Sequence, residues 1–246
     1  MSKKILIQSF SSGIDSTTTI YKAINEDDFD LVVPINYIYG QKNIIETINQ
    51  FNLFEKMEKT FGDKITNVVT VNIEAMFSNG MDFYKLLRDS NTIKEKTGTE
   101  YYTPMRNLLF STIASMLGEL YALHQEEEVE IYIGIGVHKH SDIYEKDYWD
   151  ITPEFVNKLD QLFALNDNIS LKLYAPYKDK TKTELVKNAL ELNVPYRSTW
   201  TCYNPSEKDG AAIPCLECES CKERELAFNN NNIMDGNNYM VQLDEE

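Results

Sequence analysis

The sequence is short of positive charge: Lys and Arg total 24 against 39 Asp and Glu, a formal net charge of −15 over 246 residues. A large nucleic-acid footprint needs a basic partner for each phosphate contact, so this balance argues against one, and an anionic surface also disfavours acidic membranes. Room remains for a buried basic pocket around a small anion such as a nucleotide. Long apolar runs are missing too. Nowhere do 18 apolar residues follow one another, which excludes a membrane-spanning helix. The opening Met1–Gln8 holds two lysines but too short an apolar run for a signal peptide, and a cytoplasmic protein is expected. Cysteine is scarce and confined: all 4 lie between Cys202 and Cys221, so no disulfide framework is spread along the chain. The hydrophobic fraction of 42% is ordinary, enough to bury a sizeable core.

Five segments, 4–10, 31–39, 67–73, 130–137 and 170–175, read as buried strands, being short, rich in β-branched residues and bounded by turn or cap residues. Helical patterns at 16–25, 43–61, 105–124, 153–165 and 182–192 alternate with them. Alternation of this kind predicts an α/β fold, a doubly wound parallel five-stranded sheet with its ligand crevice beyond the carboxyl ends of the strands. Residues 77–99 are expected to be a loop-rich excursion. After Pro195 the periodicity fades, so 1–195 reads as the main α/β domain and 196–228 as a compact lobe organised around its cysteines. Residues 229–246, with four consecutive asparagines and an acidic end, read as a polar tail that is mobile in part.

The first strand runs straight into Ser11-Ser12-Gly13-Ile14-Asp15-Ser16-Thr17, and a helix follows. This is neither a Walker loop nor G-x-G-x-x-G, yet its physics is that of an anion cradle. Backbone N–H groups and hydroxyls converge at a helix N-terminus, where the dipole favours phosphate. Asp15 alone would repel phosphate, so its presence points to a Mg²⁺ ion between them. The bland alternative is an ordinary helix cap. Cys202, Cys215, Cys218 and Cys221 supply four sulfurs within twenty residues, and C-x2-C turns place them for a closed, structural zinc site. Disulfides and an iron–sulfur cluster are the alternatives to zinc.

The loop resembles the S-G-G-x-D-S signature of the pyrophosphatase-loop ATP enzymes, with Ser12 in place of the first glycine. If that position needs φ > 0, serine costs on the order of 1 kcal/mol there. More closely, the chain from about Ile5 to Phe228 resembles the 7-cyano-7-deazaguanine synthase (QueC) family. The resemblance rests on Tyr39-Gly40-Gln41 with Glu46 following, on Pro104-Met105-Arg106-Asn107, on Thr199-Trp200-Thr201-Cys202-Tyr203, and on the closing C-x2-C-x2-C. Family members usually show an aspartate and then Y-P-D-C-R-P-E-F. Here Asp142 is followed by a stretch in which Tyr148, Asp150, Pro153, Glu154 and Phe155 align, whereas Trp149, Ile151 and Thr152 replace Pro, Cys and Arg.

The resemblance implies an ATP-dependent C–N ligase that adenylates 7-carboxy-7-deazaguanine and aminates it with ammonia, giving AMP and pyrophosphate. It places ATP and Mg²⁺ on Ser11, Ser12, Gly13, Ile14, Asp15, Ser16 and Thr17, and catalysis on Asp15, Ser16, Arg106 and Lys182. Substrate contacts fall to Tyr39, Gln41, Arg106, Asn107, Asp142, Tyr148, Asp150 and Trp200. Read on position alone, Arg106 could equally form a surface salt bridge, Lys182 be a solvated lysine, Asp142 lie on a solvated face and Trp200 simply pack. His138 and His140, after the fourth strand, face either the crevice or solvent. Three rivals stand beside the synthase: an anti-phage-defence relative joining a deazaguanine to a protein partner's amine, another loop-family ligase or tRNA-thiolating enzyme, and a nucleotide-binding pseudoenzyme scaffold. No nucleic-acid or membrane partner is expected, and a homodimer stays open.

Overall fold

The computed structural model describes residues 2–40, 45–75, 89–97, 101–139, 148–208, 210–233 and 241–242. Strands β1 (Lys3–Ser9), β2 (Leu31–Ile38), β3 (Val69–Asn72), β4 (Val129–Gly134) and β5 (Ser170–Tyr174) form one sheet in the order β3-β2-β1-β4-β5. Every pairing in it is parallel, with Ile5 opposite both Leu31 and Ile131. This is the doubly wound α/β sheet expected from the strand–helix alternation.

Both faces are covered, which is why the central strands are apolar without alternation: Ile5, Leu6 and Ile7 are all buried. Leu6 and Val32 face α1 (Ile14–Asn25), α2 (Ile45–Phe61) and α6 (Lys182–Glu191), and the cluster is closed by Ala227 and Phe228 of α7 (Glu219–Asn230). On the opposite face Ile5, Ile7, Ile35, Ile131 and Ile133 pack against α4 (Arg106–Leu123) and α5 (Pro153–Phe163). Each such side chain removed from water contributes about 1.5–3 kcal/mol before ordering entropy is counted. Gly118 lets α4 lie close, since a β-carbon there would sit 2.6 Å from Ile131 Cγ2.

Two local expectations change. Within 77–99, described residues Ser90–Thr97 form a helix, α3, where a loop was expected. Its mean character is polar and no apolar stripe announces it, so hydrophobic periodicity had nothing to detect. Beyond Pro195 the lobe contains β6 (Ser206–Lys208) and β7 (Ala211–Ile213), and Val241–Gln242 of the tail returns as β8 to pair antiparallel with β7. A strand that short is fixed by its partner rather than by its own composition. Among the described residues no helix is long and apolar enough to cross a membrane.

Strand order reverses between β1 and β4. In an open α/β sheet that switch point is where the loops beyond the strands diverge and leave a crevice. The loop after β1 and the segment after β4 both lie there.

Candidate functional site

Helix α1 starts at Ile14, two residues before the expected Ser16, so Asp15 and Ser16 stand in its first turn. Gly13 occupies the cap position without any side-chain cap bond. The nearby hydroxyls turn backward instead: Ser16 Oγ and Thr17 Oγ1 donate to the Gly13 carbonyl at 3.2 and 2.8 Å. The helix therefore opens with no carboxylate or hydroxyl of its own on its first N–H groups, unlike an ordinary capped start. Thr18 and Thr19 likewise satisfy their hydroxyls on the carbonyls of Ile14 and Asp15, which lets a threonine run stay buried inside a helix.

Ser12 has φ 59°, the left-handed conformation that would have suited glycine. It is fully buried, its Oγ donates to the Glu46 carbonyl at 3.0 Å, and its own carbonyl accepts from Trp200 N at 2.9 Å. The serine thus ties the loop to α2 and to the cysteine lobe. Sequence pattern alone did not reveal Gly136. A β-carbon there would lie 2.9 Å from Ser16 N and 3.1 Å from its Cα, so only glycine lets the segment after β4 reach the α1 N-terminus.

A charged group gathers around Asp15. Lys182, 5% exposed at the start of α6, places Nζ 2.5 Å from Asp15 Oδ1. A Thr181–Glu184 capping box fixes the start of that helix. His138 Nε2 lies 3.8 Å from Asp15 Oδ2 and 3.7 Å from Glu223 Oε2 of α7. Burial pushes the Asp15 carboxyl up, but the charge of Lys182, then His138 and Arg224, outweighs it and holds the group below its usual range. Arg224 is fully buried and hydrogen-bonded to Thr199, Thr201 and the Tyr196 carbonyl. Glu223 and Arg224 escaped the sequence reading because only the docking of α7 brings Glu223 to His138 and the charge of Arg224 to bear on Asp15.

A second charged group surrounds Arg106, the first residue of α4. Burial works against the guanidinium charge, yet Tyr39, Tyr203 and Glu46 together hold its pKa above the ordinary value. Beside it Asn107 N donates to Asp150 Oδ2 at 3.2 Å, and Asn107 Nδ2 to the Asp150 carbonyl at 3.1 Å. Asp150, 3% exposed, thereby satisfies a first-turn N–H of α4. The replaced residues around it have local tasks. Thr152 caps α5 by accepting from Phe155 N, with Pro153 next to it. Ile151 packs against the small cluster of Ile135, Val137 and Val156. Trp149 remains 45% exposed, its Nε1 donating to Tyr102 Oη at 2.9 Å, and Tyr148 stacks on Tyr102. Gln41, Asp142 and His140 lie outside the described residues.

The four cysteine sulfurs all lie within 4.8 Å of one another. Backbone N–H groups of Asn204 and Cys215 donate to Cys202 Sγ, and that of Cys218 to Cys215 Sγ, the pattern that stabilises thiolates. Bonds of about 2.3 Å to a tetrahedral zinc space sulfurs about 3.8 Å apart, so the donor set fits such an ion. Trp200, 1% exposed, packs in this lobe with Ile45 and Cys202, and its Nε1 donates to the Cys202 carbonyl.

Fold and site together define a class: a doubly wound α/β protein whose hydroxyl-rich loop and four-cysteine lobe meet at the switch point of the sheet. Residues 5–232 match the model of QueC, described as Queuosine biosynthesis protein QueC, and the chain belongs to that family. It is 31% identical over 239 residues to 7-cyano-7-deazaguanine synthase of Thermoplasma volcanium, covering 93% of this chain and 87% of that one. With the synthase of Persephonella marina identity is 30% over 227 residues, 89% of each chain. The synthase of Rickettsia bellii is 28% identical over 246 residues, covering 98% of this chain and all of its own.

Proposed function

We propose that this protein is a cytoplasmic ATP-dependent C–N ligase that converts 7-carboxy-7-deazaguanine and ammonia to 7-cyano-7-deazaguanine, releasing AMP and pyrophosphate. The observation that carries the reading is the meeting of Asp15, Lys182 and the open N-terminus of α1 at the switch point, in a chain matched to the family over residues 5–232. A carboxylate is a poor electrophile because its leaving group would be oxide. Adenylation replaces that group with AMP.

In this reading residues 11–17 cradle the phosphates with α1 N–H groups, and Lys182 and Ser16 carry charge and hydrogen bonds to them. Asp15, paired with Lys182, would hold a Mg²⁺ together with the phosphates, and that ion would supply positive charge to the departing pyrophosphate. Arg106 binds the carboxylate of the deazaguanine, while Tyr39, Asn107, Tyr148 and Asp150 are the residues offered to its ring. Ammonia attacks the acyl-adenylate to give an amide, and a second ATP activates the amide oxygen, whose loss leaves the nitrile. No side-chain nucleophile is required. The four cysteines hold a structural zinc.

Incubation with 7-carboxy-7-deazaguanine, ammonium and Mg-ATP is the test. AMP and pyrophosphate should appear, never ADP, with a product mass passing through the amide to the nitrile. The exposed Trp149 within the altered 149–152 stretch supports a second reading, transfer of the activated deazaguanine to an amine of a protein partner. Adenylation without amide formation from ammonia would select it, and absence of nucleotide turnover would select a scaffold.

A further inference from the structure

We propose that the outer face of α4 is where a second copy of this chain docks, antiparallel about a two-fold axis beside Met116. Helix α4 is apolar on nearly every side: of its 18 residues only Arg106 and Glu119 carry charge. Leu108, Ala114, Leu117 and Tyr121 serve the sheet. A second apolar stripe remains, Leu109, Ile113, Met116, Leu120 and Leu123, at steps of four, three, four and three. That spacing is the seam of a helix pair, in which the side chains of one helix enter gaps in the other. Ile113 is shared with the sheet, whereas Met116, Leu120 and Leu123 are 54%, 49% and 60% exposed. A helix with one apolar face is complete on the sheet; one with two needs a further partner.

Three features select a second copy as that partner. Extent is the first. Leu123 shares a surface cleft with Asp167 and Asn168, so Leu162 and Leu165, exposed just before that segment, lie at the same end of the molecule. Together these side chains approach the apolar core of a standard interface, which takes about 800 Å² from each partner. Charge is the second. Two chains of net charge −15 repel, and α4 offers a contact to which each copy brings only Glu119 along the stripe. A basic partner would be met by an acidic face instead. Symmetry is the third. Met116 lies midway along the stripe, so an isologous pairing sets it against itself and Leu109 against Leu123. Glu126, Glu127 and Glu128 follow the helix and are exposed. Parallel pairing would bring the two acidic runs together; antiparallel pairing carries each to the N-terminal, positive end of the other α4.

Sedimentation equilibrium of the full chain, its metal retained, should give twice the 28.5 kDa of one chain. Met116→Lys and Met116→Glu should each raise the dissociation constant by about 100-fold or more, since each sets like charges face to face across the axis. Mixed in equal amounts, the two variants should recover the dimer, because a lysine of one copy then meets a glutamate of the other. Met116 is half exposed in a single chain, so both substitutions are compatible with folding, which a thermal melt checks. A monomeric unaltered protein would overturn the proposal and leave the face to a different protein. Dimers undisturbed by either variant would place the interface elsewhere and overturn it too, as would a mixture that stays monomeric. Should neither charge variant fold, Met116→Cys decides: mild oxidation should link two copies, and a chain that stays unlinked overturns the pairing.

Discussion

Lys182 Nζ lies 2.5 Å from Asp15 Oδ1, joining two residues 167 positions apart in the chain across the crevice. The lysine is almost fully buried and the aspartate side chain 25% exposed, so the pair is only partly desolvated. Removing one partner leaves the other charge uncompensated. Lys182→Met should destabilise by about 1–3 kcal/mol at neutral pH, reduced from the fully buried case by the exposure of Asp15. Asp15 is held below its usual range, so its contribution is full above that range and is lost as pH falls through the lowered value. The Lys182→Met penalty should shrink accordingly in acid, and Asp15→Asn/Lys182→Met should be more stable than Lys182→Met. Thermal melts across pH check both; a penalty independent of pH would show that the pair is not ionised.

Ser12 combines a left-handed backbone with a bond that glycine cannot make. Ser12→Ala keeps the conformational cost and loses the bond to Glu46, for a loss of about 1–2 kcal/mol. Ser12→Gly relieves the backbone by a similar amount to what it forfeits and should be close to neutral. Denaturant melts of the two variants should separate them; equal losses would mean that φ at this position costs nothing.

Gly136 touches backbone, not a side chain that could swing aside. Gly136→Ala should cost about 1–3 kcal/mol through overpacking and shift the α1 N-terminus. The rise in melting temperature on adding Mg-ATP should be lost in the variant. A normal ligand-induced shift would disconnect this contact from nucleotide binding.

The cysteine lobe should carry a single zinc ion per chain, and Cys218→Ser should lose it and melt the lobe, because structural zinc contributes folding free energy directly. Elemental analysis gives the answer. An iron–sulfur absorption band in place of zinc would overturn the assignment.

Much of this was legible in the residues. Buried parallel strands announce themselves as short β-branched runs, and all five stand within a few residues of their expected places. The C-x2-C spacing likewise foretold a sulfur cluster, since turns of that length bring their ends together without help from the rest of the fold.

What depended on distant contacts was not legible. Helix α3 and strand β8 lack a pattern of their own. Thr152 looked like a lost pocket arginine and is a helix cap, while Asp150 spends hydrogen bonds on α4. Glu223 meets His138, and the charges of His138 and Arg224 act on Asp15, only because α7 docks on α6 and the strand order reverses between β1 and β4. Backbone periodicity and short spacings are set by neighbours in the chain, so the sequence by itself determined the strands, the loop and the thiol cluster. Charge pairing and the tuning of Asp15 depend on distances across the sheet and on exclusion of water, and those only the tertiary structure decided.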